Sequence, residues 1–232
     1  MFARSLARGF AIGFLGLALA ASAQERGQTE GINDPYLSPD LKVAEWVERF
    51  EGESREVFAH RHKIAASLDL KPGQSVADVG AGTGLYVPFL AERVGKTGKV
   101  YAVDISPPFI EHITRKAKET GLSQVTAVLG TERSVELPAN SVDMIFTSDA
   151  YHHFTHYQDM LASMRKALKP GGQLIVVDYD VEGEGVSDSM IRHVGQKKGT
   201  FRRQIEAGGF TFAQDMTLKE MKTNFIYRFV KQ

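Results

Sequence analysis

The 232-residue chain contains no cysteine. Disulfides, thiolate metal sites and a cysteine nucleophile are therefore excluded. The compartment is not fixed by that absence, because a cysteine-free chain tolerates any redox setting. Neither sign of charge is in excess, since 28 Lys and Arg offset 28 Asp and Glu. A global attraction to nucleic acid or to an acidic membrane is thereby missing. There is no internal repeat and no low-complexity tract. What is there, 43% hydrophobic and 24% charged residues, suits one globular domain large enough for a real core.

Acid is also absent before Glu25. Arg4 and Arg8 give that stretch a positive start, and Phe10 to Ala20 is apolar. Such a run has the length of a signal-peptide centre and is short for a bilayer span. Ala21-Ser22-Ala23 then offers the small residues a signal peptidase reads. Residues 1–23 are expected to be a cleaved export signal, with the mature protein in the periplasm and no stable membrane span. An uncleaved anchor is the alternative; an organellar transit peptide fits less well with an uninterrupted apolar centre. Residues 24–39 are polar, with Gly, Asn, Asp and Pro, and read as a tether.

Residues 40–232 read as the working domain, opening with an N-terminal helical cap. In "LKVAEWVERF", Leu41, Ala44, Val47 and Phe50 recur at helical spacing. A second helix is expected over 55–68. The chain then alternates short β-branched runs with amphipathic segments: strands at 75–79, 99–103, 125–129, 142–147 and 174–179, and helices at 84–94, 107–120 and 158–168. "KPGG" before the fifth strand reads as a turn. Short helices near 190–194 and 201–207 precede a final strand pair, 210–216 and 224–230. This alternation predicts an α/β fold, a doubly wound Rossmann-like sheet with helices on both faces.

The densest signal is "VADVGAGTGLY", where Gly80, Gly82 and Gly84 follow the first strand. A strand, a glycine turn and a helix form the ligand corner of such folds. Without Cβ atoms the backbone N–H groups can approach a ligand closely, and the helix start favours an anion. The spacing is Gly-x-Gly-x-Gly, with Leu85 where a dinucleotide site wants its last glycine. Asp78 stands two residues before the first glycine, where a carboxylate would suit an ammonium group. Asp104 closes the second strand in "VYAVDIS", placed to accept from ribose hydroxyls. Together they describe a pocket for a nucleoside joined to an amino acid.

From about Val57 to Phe212 the chain resembles the class I S-adenosylmethionine-dependent methyltransferases. "VADVGAGTG" is similar to the family's first motif and "VYAVDIS" to its second-strand acid. "LPANSVDMIFTSDAYHHF" is similar to the loop and fourth strand, "LKPGGQLIVVDY" to the turn and fifth strand, and "IEAGGF" to the lead into the last strands. The resemblance implies a Rossmann-like sheet, mostly parallel with an antiparallel last strand, and S-adenosylmethionine as cofactor. It implies that Asp78 and the backbone of Gly80, Ala81, Gly82, Thr83 and Gly84 hold the methionine end. Asp104 would hold the ribose and Ile105 pack on adenine. Thr131 and Glu132 stand where many relatives have Asp-Ala, with a backbone N–H available to adenine. Ser148 and Asp149 would face the methyl group.

Methyl transfer is an in-line displacement at an activated carbon, so alignment and dehydration come first. A base matters only where the acceptor must lose a proton. Tyr151, His152 and His153, just past the fourth strand, are the catalytic candidates; the competing reading is a packed, hydrogen-bonded loop. His152, His153 and His156 lack a partner acid at metal spacing, so no metal is expected. His60 and His62 read as a solvated helix face that could reach the pocket. Arg192, Lys197, Lys198, Arg202 and Arg203 read as a solvated basic run. Leu161, Met164 and Leu168 are helix core. The expected partner is a small-molecule methyl acceptor, not nucleic acid. The alternative class is an exported nucleoside-binding protein without turnover; a nicotinamide oxidoreductase is disfavoured by Leu85 and Asp78.

Overall fold

The computed structural model describes residues 31–232. The expected signal, 1–23, and residues 24–30 of the expected tether lie outside them. Seven strands form one sheet: β1 (Ser75–Val79), β2 (Lys99–Asp104), β3 (Val125–Leu129), β4 (Val142–Ser148), β5 (Leu168–Tyr179), β6 (Phe210–Asp215) and β7 (Asn224–Lys231). Their order is β3-β2-β1-β4-β5-β7-β6. The pairs from β3 through β5 are parallel, and β7 runs antiparallel to both β5 and β6. This is the expected doubly wound sheet.

The central strands are apolar at nearly every position because both faces are covered. Side chains alternate between two cores. Ala77, Ile145, Leu174 and Val176 join one, with Leu161, Met164 and Ile205. Val76, Met144, Phe146, Ile175 and Val177 join the other, with Ile64, Leu90 and Val94. The helices that supply these residues are α4 (Arg61–Ser67), α5 (Val87–Val94), α7 (Tyr157–Ala167) and α9 (Lys198–Ala207). A fifth, α6 (Pro107–Glu119), covers β2 and β3 with Phe109, Ile113 and Ala117 buried.

Three local expectations change. The helix expected over 55–68 is two pieces, α3 (Glu56–Ala59) and α4, broken at His60 with φ −102° and ψ 12°. The "KPGG" turn is a bulge inside β5: Val142 pairs with Leu168, but Met144 pairs with Gln173. Gly171 within it adopts φ +71°, which favours glycine. The described end of the tether is not free chain. Residues Asp34–Leu37 form α1, a single turn, and Asn33 is buried. They pack beside α2 (Val43–Phe50), where the rings of Tyr36, Trp46 and Phe50 meet at 4.8 to 6.5 Å.

After β3 the chain returns to the other side of β1 to make β4, so the winding direction switches between β1 and β4. A crevice opens at the carboxyl ends of strands at such a point. The glycine loop follows β1, and Asp149 to Phe154 follow β4. α1, α2 and α3 cover that crevice from the amino-terminal side.

Candidate active site

The crevice holds a cavity of about 650 Å³, within the range of small-molecule sites. Its lining includes Asp78, Gly80, Ala81, Gly82, Thr83, Asp104, Ile105, Thr131, Glu132, Ser148, Asp149, His152 and His153. Thirteen of the fifteen residues expected at the site are thus brought together. The other two are Gly84 and Tyr151.

Each glycine of the loop has its own reason. A Cβ on Gly80 would lie 2.4 Å from the Ala150 Cβ, so the bare Cα lets the loops after β1 and β4 touch. Gly84 has φ +80°, and a Cβ there would meet Ile113 at 3.1 Å. Its role is packing against α6 and not contact with the cavity. Gly82, at φ +54°, faces the cap: its Cβ would stand 3.5 Å from the Phe50 ring.

Two acids sit beneath this loop, and both are buried. Asp104 accepts from the Gly82 N–H at 2.7 Å and from the Ser106 N–H at 2.9 Å. Burial pushes it up to about 6, against the pull of backbone donors from Gly82, Ser106 and Ile105. Burial pushes Asp78 up to about 7, and the neighbouring Asp104 charge adds to the rise. A cationic or hydrogen-donating ligand would relieve both. Tyr86 lines the same wall and donates to the Val57 carbonyl at 2.6 Å, tying the glycine turn to α3.

The cap adds residues that sequence reasoning did not place at the site. Asn33 donates to Glu132 Oε1 at 2.8 Å and to the His153 carbonyl at 3.1 Å. Thr155 donates to the same Glu132 oxygen at 3.3 Å. Glu132 therefore anchors the cap to the loop after β3. Arg55 donates to Asp149 Oδ2 at 2.6 Å, and Asn224 donates to Oδ1 at 2.7 Å. Burial raises the Asp149 pKa, with Arg55 opposing the rise. Burial acts to lower Arg55, but Asp149 and then Tyr179 outweigh it and raise the group. Burial pushes the Tyr179 phenol up to about 12. Asp149 itself sits at φ +47°, a region Asp tolerates better than most residues. Asp149 is thus held by a buried ion pair at the cavity wall.

The catalytic candidates divide. Tyr151 is 1% exposed, packs on Phe154 and Phe201 and does not line the cavity. It is a core residue. His152 donates from Nδ1 to Asp178 Oδ1 at 2.7 Å and from its backbone N–H to Oδ2 at 3.1 Å. Burial acts to lower its pKa, yet Asp178 outweighs that and the net direction is up. Burial drives His153 down to about 2, helped by His152 and His193. His193, on α8 (Asp188–Val194), also lines the cavity. His156 caps α7 and is absent from the lining. Of the flanking candidates, His62 stacks edge-on against Phe89 at 4.9 Å, and neither His60 nor His62 lines the cavity. In the basic run, Lys197 pairs with Glu182, Lys198 with Asp180 and Arg202 with Glu206.

Comparison with known proteins agrees with this geometry. Residues 76–172 match the family model described as a methyltransferase domain. The chain is 32% identical over 160 residues to an uncharacterized 37.1 kDa protein in transposon TN4556 of Streptomyces fradiae, covering 63% of this chain and 45% of that one. It is 30% identical over 114 residues to the ubiquinone/menaquinone biosynthesis C-methyltransferase UbiE of Cupriavidus metallidurans, covering 49% and 46%. The chain spans about half the length of these curated relatives. Its fold matches the crystal structure of a SAM-dependent methyltransferase from Aquifex aeolicus with a TM-score of 0.73 at 24% identity, over 82% of this chain and 99% of that one. Residues 76–172 thus carry a methyltransferase domain, set on the Rossmann-like sheet that a solved S-adenosylmethionine-dependent methyltransferase shares.

Proposed function

We propose that the chain transfers a methyl group from S-adenosylmethionine to a small, partly apolar acceptor. The observation that carries this reading is the convergence of Asp78, Asp104 and the Gly82 N–H in one buried corner of the cavity. Two raised carboxyls in an apolar crevice suit a ligand that brings an ammonium and a pair of hydroxyls. When bound, the donor supplies a methyl already activated on sulfur. Asp78 and the backbone of residues 80–83 then hold the amino-acid end. Asp104 accepts from the ribose, Ile105 packs on the base, and the loop at Thr131 and Glu132 closes beside it. The cap excludes water through Tyr36, Trp46 and Phe50. Ser148, Asp149, His152 and His153 form the wall on the acceptor side.

The apolar cap and the quinone-biosynthesis names of several curated relatives favour a small ring-bearing acceptor. A formal net charge of zero gives the chain no global attraction to nucleic acid. Incubation with labelled donor and a small-molecule extract tests the reading. Release of S-adenosylhomocysteine with one labelled product is the expected outcome. Saturable donor binding with no release under any extract favours the alternative, a nucleoside-binding protein without turnover.

We also propose export, from Arg4, Arg8, the apolar centre and Ala21-Ser22-Ala23. The expected mature species begins at Gln24 outside the cytoplasm, by intact mass and fractionation. A cytosolic species beginning at Met1 would overturn it.

A further inference from the structure

Three histidines meet at one wall of the cavity. His152 and His153 come from the 3-10 turn after β4, and His193 comes from α8, forty residues away. The ring centroids of His152 and His153 are 4.3 Å apart, those of His152 and His193 5.2 Å, and those of His153 and His193 5.1 Å. One ring nitrogen from each lies within 4.8 Å of the others. We infer that His152, His153 and His193 form a mononuclear site for a divalent transition-metal ion.

The geometry supports this in three ways. Imidazoles ligating one ion at about 2.1 Å place their ring centroids about 4.6–5.3 Å apart, for octahedral or tetrahedral arrangement. The three observed separations fall on or close to that range. The ligating nitrogens would then lie about 3.0–3.4 Å apart, so the set, now within 4.8 Å of one another, would close further around an ion. Second, Asp178 accepts from His152 Nδ1 and fixes that hydrogen there, leaving the Nε2 lone pair free. A carboxylate behind a ligating imidazole is the usual outer support of a metal site. Third, His153 Nδ1 is buried without a hydrogen-bond partner. Such an atom calls for a partner the protein does not supply.

Three neutral imidazoles with no thiolate suit zinc, iron, nickel or copper more than magnesium or calcium. They leave coordination positions open. The site shares the cavity, but none of its three ligands is among the residues proposed to hold the donor, so metal binding can be tested without the methyl-transfer reading. Where that reading also holds, an acceptor hydroxyl on the open position would lose its proton more easily. His152 and His153 then serve as ligands and not as free bases. His193 would also pin α8 to the turn after β4 and narrow the cavity. The neighbouring Val194 is fully buried, so α8 is already anchored there.

The test uses the full, untagged chain, stripped with chelator and dialysed, with no methyl donor present. Titration with Co²⁺ is expected to give one saturable equivalent with the visible bands of an ordered site, displaced by Zn²⁺. His193→Ala, at an exposed position, should weaken binding at least tenfold. His153→Gln should do the same, and His156→Ala should leave binding as in the wild type. Circular dichroism confirms that each variant is folded. Absence of stoichiometric binding to the wild type would overturn the site. So would wild-type affinity in folded His193→Ala and His153→Gln. Failure of methyl release with metal binding intact would count against the enzyme reading alone.

Discussion

Replacing Asp78 by asparagine keeps the side chain's shape and removes its charge. The folded chain holds this group at about 7, against its ordinary 3.8. Between those values the folded chain binds a proton that the unfolded chain has released. The stability contributed by this group therefore falls as pH rises from about 4 to about 7 and is level above that. The full difference corresponds to about 4 kcal/mol. Water entering the open cavity screens part of it, so about 2 kcal/mol is a better expectation. In a domain of this size that is a rise in Tm of about 4–8 °C. Asp78→Asn should thus melt higher than the wild type near pH 8, and the two should converge near pH 3, below 3.8, where the carboxyl is neutral both folded and unfolded. The same variant should bind S-adenosylmethionine at least tenfold more weakly, about 1.4 kcal/mol, for want of the anion. Scanning calorimetry without ligand at both pH values, followed by ligand titration, reads both effects. Equal melts at the two pH values, or a lower melt near pH 8, would refute the electrostatic reasoning. Unchanged affinity would remove Asp78 from the site.

Asp104→Ala should weaken donor binding by about 1.5–3 kcal/mol, the scale of hydrogen bonds to a charged group; unchanged calorimetric affinity in a folded variant would exclude it. Gly82→Val should abolish donor binding while circular dichroism stays native, because Gly82 has φ +54° and its Cβ would press toward Phe50. Wild-type affinity there would mean that this loop does not hold the donor. Arg55→Met should cost about 3 kcal/mol in urea unfolding, since it strands the buried Asp149. Adding Asp149→Asn should recover part of that loss, and a second loss equal to the first would show that the pair does not interact.

The sheet was legible because its strands are short β-branched runs, spaced by amphipathic helices. The cavity corner proposed to hold the donor was legible because its groups, residues 78–83 and Asp104, are local to two strand ends. Bare glycines signalled close approach, although the structure assigns Gly80 to Ala150 and Gly84 to Ile113. The cap side was less legible. Asn33, Arg55 and His193 reach the cavity only through packing across the fold, and no local spacing marks them. Tyr151 and His152 are adjacent on a three-residue turn, so their side chains diverge, one to the core and one to Asp178. The sequence set His156 near His152 and His153 without implying a metal; His156 stands at the start of α7 outside the cavity lining, and α8 brings His193 to it, forty residues away. The break at His60 has no glycine or proline to announce it.

The central claim is that the crevice between β1 and β4 is a site for S-adenosylmethionine. Isothermal titration of the purified chain with that ligand, beside NAD as a control, tests it most directly. The account expects one saturable site for S-adenosylmethionine and none for NAD. No binding of S-adenosylmethionine at millimolar concentration, or preferential binding of NAD, would contradict it.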